Sequence, residues 1–183
     1  ILHSILNDNN ISDKNLFFIK ETKSQLETAY LSIKDHLLLS LDAEKPIIFH
    51  NCDTLLLDRG EVFKKIKCLK ADESLVDTFK ASSHEYSYVM ESKNNLNLVN
   101  RIADKILLSE FACSGLYAFG SVDFFMESAS KILENDSKVN FTSLYQFILS
   151  QHKSIYSSSE ADVSKTIVLG TPEDYLTNLR RFN

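Results

Sequence analysis

Pro46-Ile47-Ile48-Phe49 is an apolar run of strand length that passes through His50, Asn51 and Cys52 into a carboxylate, Asp53. What precedes it narrows the fold further. Asn15-Leu-Phe-Phe-Ile19 reads as a short strand, Thr22-Lys-Ser-Gln25 has the form of a capping box, and Leu26, Tyr30, Ile33 and Leu37 fall on one helical face. Strand, helix and second strand at this spacing make a β-α-β unit, which implies a parallel pair with a right-handed crossover. In an open α/β sheet ligands bind just beyond the carboxyl ends of the strands. Asp53 is therefore placed either to hold a metal over a phosphate or to cap the turn after a buried strand.

A helix over 59–67 follows, and from Leu75 the texture changes to shorter strand-like pieces at 75–79, 86–90, 98–102 and 111–119. Glu91-Ser-Lys-Asn-Asn-Leu-Asn97 is a polar turn suited to a hairpin, so this half is expected to be mixed or antiparallel. Helices over 122–133 and 141–152 come next, then short strands near Ile155 and Ile167. Pro172-Glu-Asp174 opens a last helix with proline and acids in its first turn. Residues 1–8 look like the end of an apolar helix. With 183 residues, 44% of them apolar, and no repeat or linker, the chain is expected to form one α/β domain over 1–183.

Charge excludes some functions. A net charge of −5 argues against nucleic acid as a main partner, because a phosphate backbone selects basic faces. No apolar run reaches the length of a bilayer span and the start lacks a basic leader, so a cytoplasmic protein without a membrane partner is expected. Cys52, Cys68 and Cys113 lack the short spacing of a zinc site and read as reduced core residues. Only four glycines are present, the first at Gly60, so the first third of the chain holds no phosphate-cradling loop.

Several short motifs stand in a telling order: Thr22-x-x-Gln25-x-x-Thr28, Phe49-His-Asn-Cys-Asp53-Thr, Tyr86-Ser-Tyr-Val89, Ala103-Asp-Lys105, Ala112-Cys-Ser-Gly-Leu-Tyr117-x-Phe119 and Leu169-Gly-Thr-Pro-Glu-Asp174. Together they resemble the sugar-phosphate nucleotidyltransferases, from about Thr22 to the end. The resemblance implies a Rossmann-like three-layer α/β/α domain with a mixed, mainly parallel central sheet. It also implies transfer of a nucleoside monophosphate from an NTP to a phosphorylated small acceptor, with release of pyrophosphate, an activity resting on positioning and charge rather than a covalent nucleophile.

By the resemblance, Asp53 binds Mg²⁺ and Lys105 contacts the acceptor's phosphate; these are the candidate catalytic residues. Thr22, Ser24, Gln25, Thr28 and Asn51 fall where relatives read the nucleotide, although a helix cap equally explains Thr22 and Gln25. Tyr86, Ser87, Asp104 and Gly115 join Lys105 on the acceptor side. Asp104 stands where glutamate is usual and is one methylene shorter, and Gly115 within an apolar strand marks a bulge or a ligand's close approach.

Two departures stand out. The family's Gly-rich triphosphate loop has no counterpart before Gly60, so these residues are expected to be part of a longer chain, the alternative being a reduced relative. Counting back from Gly170-Thr171, a second metal-binding acid would fall on Val168, which cannot ligate magnesium. Glu173 and Asp174 are expected to stabilise the last helix instead, His50 to face away from Asn51, and Lys64, Lys65, Lys67 and Lys70 to form a solvated helix face. The acceptor expected first is a sugar 1-phosphate, serving surface-polysaccharide assembly. The alternatives are a phospho-amine such as phosphocholine or phosphoglutamine with a cytidylyl donor, a non-catalytic binding relative, and an unrelated α/β domain. A homo-oligomer is compatible with all of them.

Overall fold

The computed structural model describes residues 18–38, 40–95, 97–159 and 162–178. In chain order these form α1 (Gln25–Ser32, continuing as a π-helical turn Ile33–Leu37), β1 (Ile47–His50), β2 (Thr54–Leu56), α2 (Gly60–Lys67), β3 (Ser74–Lys80), β4 (Ser87–Glu91), β5 (Val99–Asp104), β6 (Phe111–Phe119), α3 (Val122–Leu133), α4 (Phe141–Ser150), β7 (Ile155–Ser157), β8 (Thr166–Val168) and α5 (Pro172–Asn178). The expected strand Asn15–Ile19 lies mostly outside the described residues; Phe18 and Ile19 are within them and are not in a strand. The expected apolar helix over 1–8 lies wholly outside.

The central sheet has six strands in the order β5-β4-β6-β3-β7, with β1 also paired to β6. It is mixed, as expected, but its ladders are mainly antiparallel rather than mainly parallel. β1, β3, β4 and β7 run one way and β5 and β6 the other, and because β6 lies among the first group, β3–β7 is the parallel ladder and the rest are antiparallel. β4 and β5 pair antiparallel as the expected hairpin, with Ser87 opposite Asp104. A separate two-stranded ribbon, β2–β8, pairs Thr54 with Val168. β2 was not expected: three residues, Thr54–Leu56, are too short for alternation to show above the noise.

The alternation of β6 divides the core into two faces. Tyr117 and Phe119 point into the larger cluster, which α1, α3 and α4 cover with Leu26, Phe125, Phe141, Leu144 and Tyr145. Leu116 and Ala118 point the other way, against Val62 and Ile66 of α2. Helices on both faces make three layers. Each fully buried large apolar side chain contributes about 1.5–3 kcal/mol, so the aromatic cluster dominates the stability of the first face. Tyr145 pins α4 to the sheet by donating its hydroxyl to the Leu75 and Ala118 carbonyls at 2.9 and 3.3 Å.

Helix starts follow local chemistry. Ser121 and Asn140 cap α3 and α4 by accepting from the backbone N–H three residues on. The cap of α1 is Ser24, two residues after the expected Thr22: its Oγ accepts from the Glu27 N–H at 3.1 Å, while Thr22 and Thr28 pair their hydroxyls at 2.5 Å. Ser24-Gln-Leu-Glu27 is the better capping sequence because Glu27 also accepts from the Lys23 N–H, at 2.5 Å. No helix among the described residues is long and apolar enough to cross a membrane.

Candidate active site

β6 carries β3 along one edge and shares its other edge between β1, paired to 116–119, and β4, paired only at Ala112. Where β1 and β4 diverge, at Cys113–Gly115, the sheet opens into a cleft of about 940 Å³. The register supplies the reason for the opening. Asp77 alone on β3 separates Val76 from Thr78, whereas their partners on β6, Tyr117 and Cys113, are separated by Ser114, Gly115 and Leu116. The extra residues form a bulge that bends β6 and breaks its pairing. Gly115 has φ +91°, and a Cβ there would lie 2.7 Å from the Asn51 amide carbon, so only glycine lets the strand and Asn51 approach this closely.

Side chains distant in sequence line this cleft: Gln25 at the start of α1; Asn51 and Asp53 between β1 and β2; Tyr86 and Ser87 at the start of β4; Asp104 at the end of β5; and Gly115. The backbone N–H of Asn51 donates to the Gly115 carbonyl at 2.9 Å, and its side-chain oxygen accepts from Gln25 Nε2. Asp53 is exposed. Its carbonyl accepts from the Leu169 N–H at 2.7 Å, and a Cβ on Gly170 would lie 3.0 Å from its Oδ2. Glycine at 170 thus leaves this carboxylate room.

The opposite wall holds a hydrogen-bonded chain. Thr142 donates to Ser87 Oγ at 2.8 Å, Ser87 donates to Asp104 Oδ1 at 2.7 Å, and the Asn140 amide reaches Asp104 Oδ2 at 3.4 Å. Asp104 is held in one orientation with lone pairs left for a ligand. Tyr117 stacks on Phe141 with ring centroids 4.5 Å apart and planes 6° apart, forming an apolar floor between the walls. Burial pushes the Tyr117 hydroxyl well above its ordinary pKa, helped by Cys113, Asp104 and Asp53; burial likewise holds the Cys113 thiol protonated. Tyr86, half-buried, is also raised, by burial and then by Asp174.

Lys105, Thr22, Ser24 and Thr28 are not among the lining residues. Lys105 follows Asp104 at the rim, exposed, with φ +54° and its N–H bonded to the Tyr86 carbonyl at 3.1 Å. Thr22, Ser24 and Thr28 cluster at the start of α1 behind Gln25. His50 is exposed and does not line the cleft, whereas Asn51 does.

No family model and no curated protein sequence matches the chain. Solved structures do. The nucleoside-diphosphate-sugar pyrophosphorylase from Vibrio cholerae RC9 superposes with a TM-score of 0.77 at 17% identity, over 97% of this chain and 76% of that one. HddC from Yersinia pseudotuberculosis, complexed with GMP-PN, gives 0.64 at 17% identity, over 100% and 73%. The inositol-1-phosphate CTP transferase from T. maritima gives 0.68 at 12% identity, over 94% and 66%. The chain has the sugar-phosphate nucleotidyltransferase fold.

The nucleotidyltransferase fold raises the question of a metal. No cluster of three or more His, Cys, Asp or Glu side chains among the described residues is arranged to hold one. Val168, opposite Thr54 in the ribbon, lines the same cleft as Asp53 and brings only a hydrocarbon side chain to it. Glu173 and Asp174 also line the cleft, but Asp174 accepts from the Thr171 hydroxyl at 2.7 Å and caps α5. One exposed carboxylate is a donor set that fits magnesium, which is commonly held by one or two carboxylates and its substrate's phosphates.

Three features escaped the sequence. Asn140 and Thr142 carry a readable helix-capping signal, but their bonds to the Asp104 wall come from α4 docking beside β5. Arg59 and Asp77 form a buried ion pair under the cleft with no local pattern to announce it. Lys65 is exposed with Lys64, Lys67 and Lys70, as expected of a solvated face, but it also donates to the Ser158 carbonyl at 3.2 Å.

Proposed function

We propose that the protein is a nucleotidyltransferase that moves a nucleoside monophosphate from an NTP to a phosphorylated small acceptor, a sugar 1-phosphate, and releases pyrophosphate. An acceptor phosphate oxygen attacks the α-phosphorus, and the bond from that phosphorus to the pyrophosphate oxygen breaks, so no covalent enzyme intermediate is needed. The observation carrying this reading is the meeting of an exposed carboxylate, Asp53, with a hydrogen-bonded acceptor wall at Asp104 across one cleft.

In this reading Gln25 and Asn51, linked to each other, face the nucleobase, and Thr22, Ser24 and Thr28 hold the helix start that presents them. Asp53 would hold Mg²⁺, which neutralises charge on the triphosphate when bound. Ser87 and Asp104 orient acceptor hydroxyls, Tyr86 and Gly115 shape the pocket, and Lys105 reaches the acceptor's phosphate from the rim. The Yersinia relative's GMP-PN and the UDP-glucose of a UDP-glucose pyrophosphorylase complex support ligands of this class. The product would be an activated sugar made in the cytoplasm for a surface polysaccharide.

Val168 favours a second reading, a relative that binds nucleotide without turning it over, because it removes one carboxylate from the metal's reach. A pyrophosphate-release screen of the full-length protein with Mg²⁺, crossing four NTPs with hexose 1-phosphates and phospho-amines, separates the readings. Release with one hexose 1-phosphate is expected. Release only with a phospho-amine replaces the acceptor, and nucleotide binding without release with any pair establishes the second reading.

A further inference from the structure

Arg59 and Asp77 are 4% and 0% exposed, the most deeply buried ion pair among the described residues. Arg59 Nε donates to both Asp77 oxygens at 3.2 and 3.1 Å. Its Nη1 donates to the Leu57 carbonyl at 2.9 Å and the Lys165 carbonyl at 3.4 Å, and its Nη2 donates to Thr166 Oγ1 at 2.6 Å. Asp77 Oδ2 accepts a further bond, 2.6 Å long, from Ser114. A buried pair is worth little as bulk stabilisation, since desolvating both ions cancels most of their attraction, and its value lies in geometry.

That geometry is specific. Leu57, Lys165 and Thr166 belong to the β2–β8 ribbon and its ends, the ribbon whose entry is Asp53 and whose exit is Val168–Gly170. Asp77 and Ser114 belong to β3 and β6 of the main sheet, at the bulge that presents Gly115. The guanidinium is thus the polar bolt between the wall carrying Asp53 and the wall carrying Gly115. A planar fork with directed donors specifies an angle as well as a distance, which an apolar contact does not.

We infer that Arg59 and Asp77 are positioning residues: the pair clamps the β2–β8 ribbon to the main sheet and so holds Asp53 at its working distance from the acceptor side of the cleft. The inference rests on the nucleotidyl-transfer reading for its catalytic consequence, but the clamp can be read without turnover. Amide hydrogen exchange in the full-length protein provides that reading, comparing peptides over 53–58 and 165–170 with peptides over the β3–β6 ladder.

Asp77→Asn leaves a buried guanidinium without its counter-charge, and Thr166→Val removes one ribbon bond while sparing the pair. For Thr166→Val the expectation is about tenfold faster exchange in the ribbon peptides, with the β3–β6 peptides unchanged. Pyrophosphate release should show kcat reduced about tenfold with both KM values within about twofold, because a misaimed group costs rate rather than binding. Asp77→Asn should enlarge both effects if it folds. Uniformly faster exchange, an unchanged ribbon, a ribbon loosened with kcat intact, or a Thr166→Val protein that does not fold each overturns the assignment. If the wild-type protein releases no pyrophosphate, the functional reading falls while the exchange pattern still decides the clamp.

Discussion

At the scale of single residues, the candidate site depends on a few groups that ordinary structural needs do not explain. Asp53 sits after a strand, where a turn cap is expected, yet its carboxylate is exposed in the cleft and, among the described residues, only Thr54 donates to it, at 3.3 Å. Asp53→Ala in the full-length protein is therefore expected to lower Mg²⁺-dependent pyrophosphate release by about a hundredfold or more while leaving the melting temperature unchanged. Steady-state rates beside a thermal melt check both halves of this expectation. Lys105 is exposed beside the cleft rather than lining it, so on the proposed reading it meets a ligand that reaches outward. Lys105→Ala should raise KM for the acceptor about tenfold and KM for the NTP by less than about twofold, as initial rates with each substrate varied would reveal.

At the scale of elements, short signals place the site and the longer patterns support it. α1 begins at Gln25 because Ser24 accepts from the Glu27 N–H while the Glu27 carboxylate holds the Lys23 N–H just before the helix, and that start aims Gln25 at Asn51. Ser24→Ala should cost about 1 kcal/mol in chemical denaturation. It should also weaken nucleotide binding, measured calorimetrically, because the helix start that carries Gln25 frays. β6 was legible as a strand from its apolar length, and Gly115 within it was legible as a bulge or close approach. The structure makes it both, since the bulge opposite Asp77 is what brings the backbone against Asn51. The ribbon β2–β8 was only half legible: the strand near Ile167 carries an apolar signal, but Thr54–Leu56 is recognisable only by its partner.

At the scale of the whole molecule, one buried layer links stability to pH. Cys113, Tyr117 and Tyr145 are held protonated by burial, each raised above its ordinary value. In the unfolded chain the thiol ionises near 9.0 and the phenols near 10.0, so above those values the unfolded state holds fewer protons than the folded one. The stability that these three groups contribute is then fully present below about pH 9 and is lost as pH rises further. Thermal melts should be flat from about pH 7 to 8.5 and decline above about pH 9, and Cys113→Ala should reduce the decline between about pH 9 and 10.

Apolar length, spacing and capping residues, read from the sequence, determined that this chain builds helices on a mixed sheet, that a carboxylate follows β1, and that a glycine interrupts β6. Those are local consequences of backbone sterics and burial, and a short window of residues carries them. Tertiary structure alone decided that Asp104 is gripped by Ser87 and Asn140, that Lys105 stays at the rim, and that Arg59 and Asp77 meet beneath the cleft. Each of these depends on strand register and on where a distant helix docks, and register is set by the packing of both sheet faces at once.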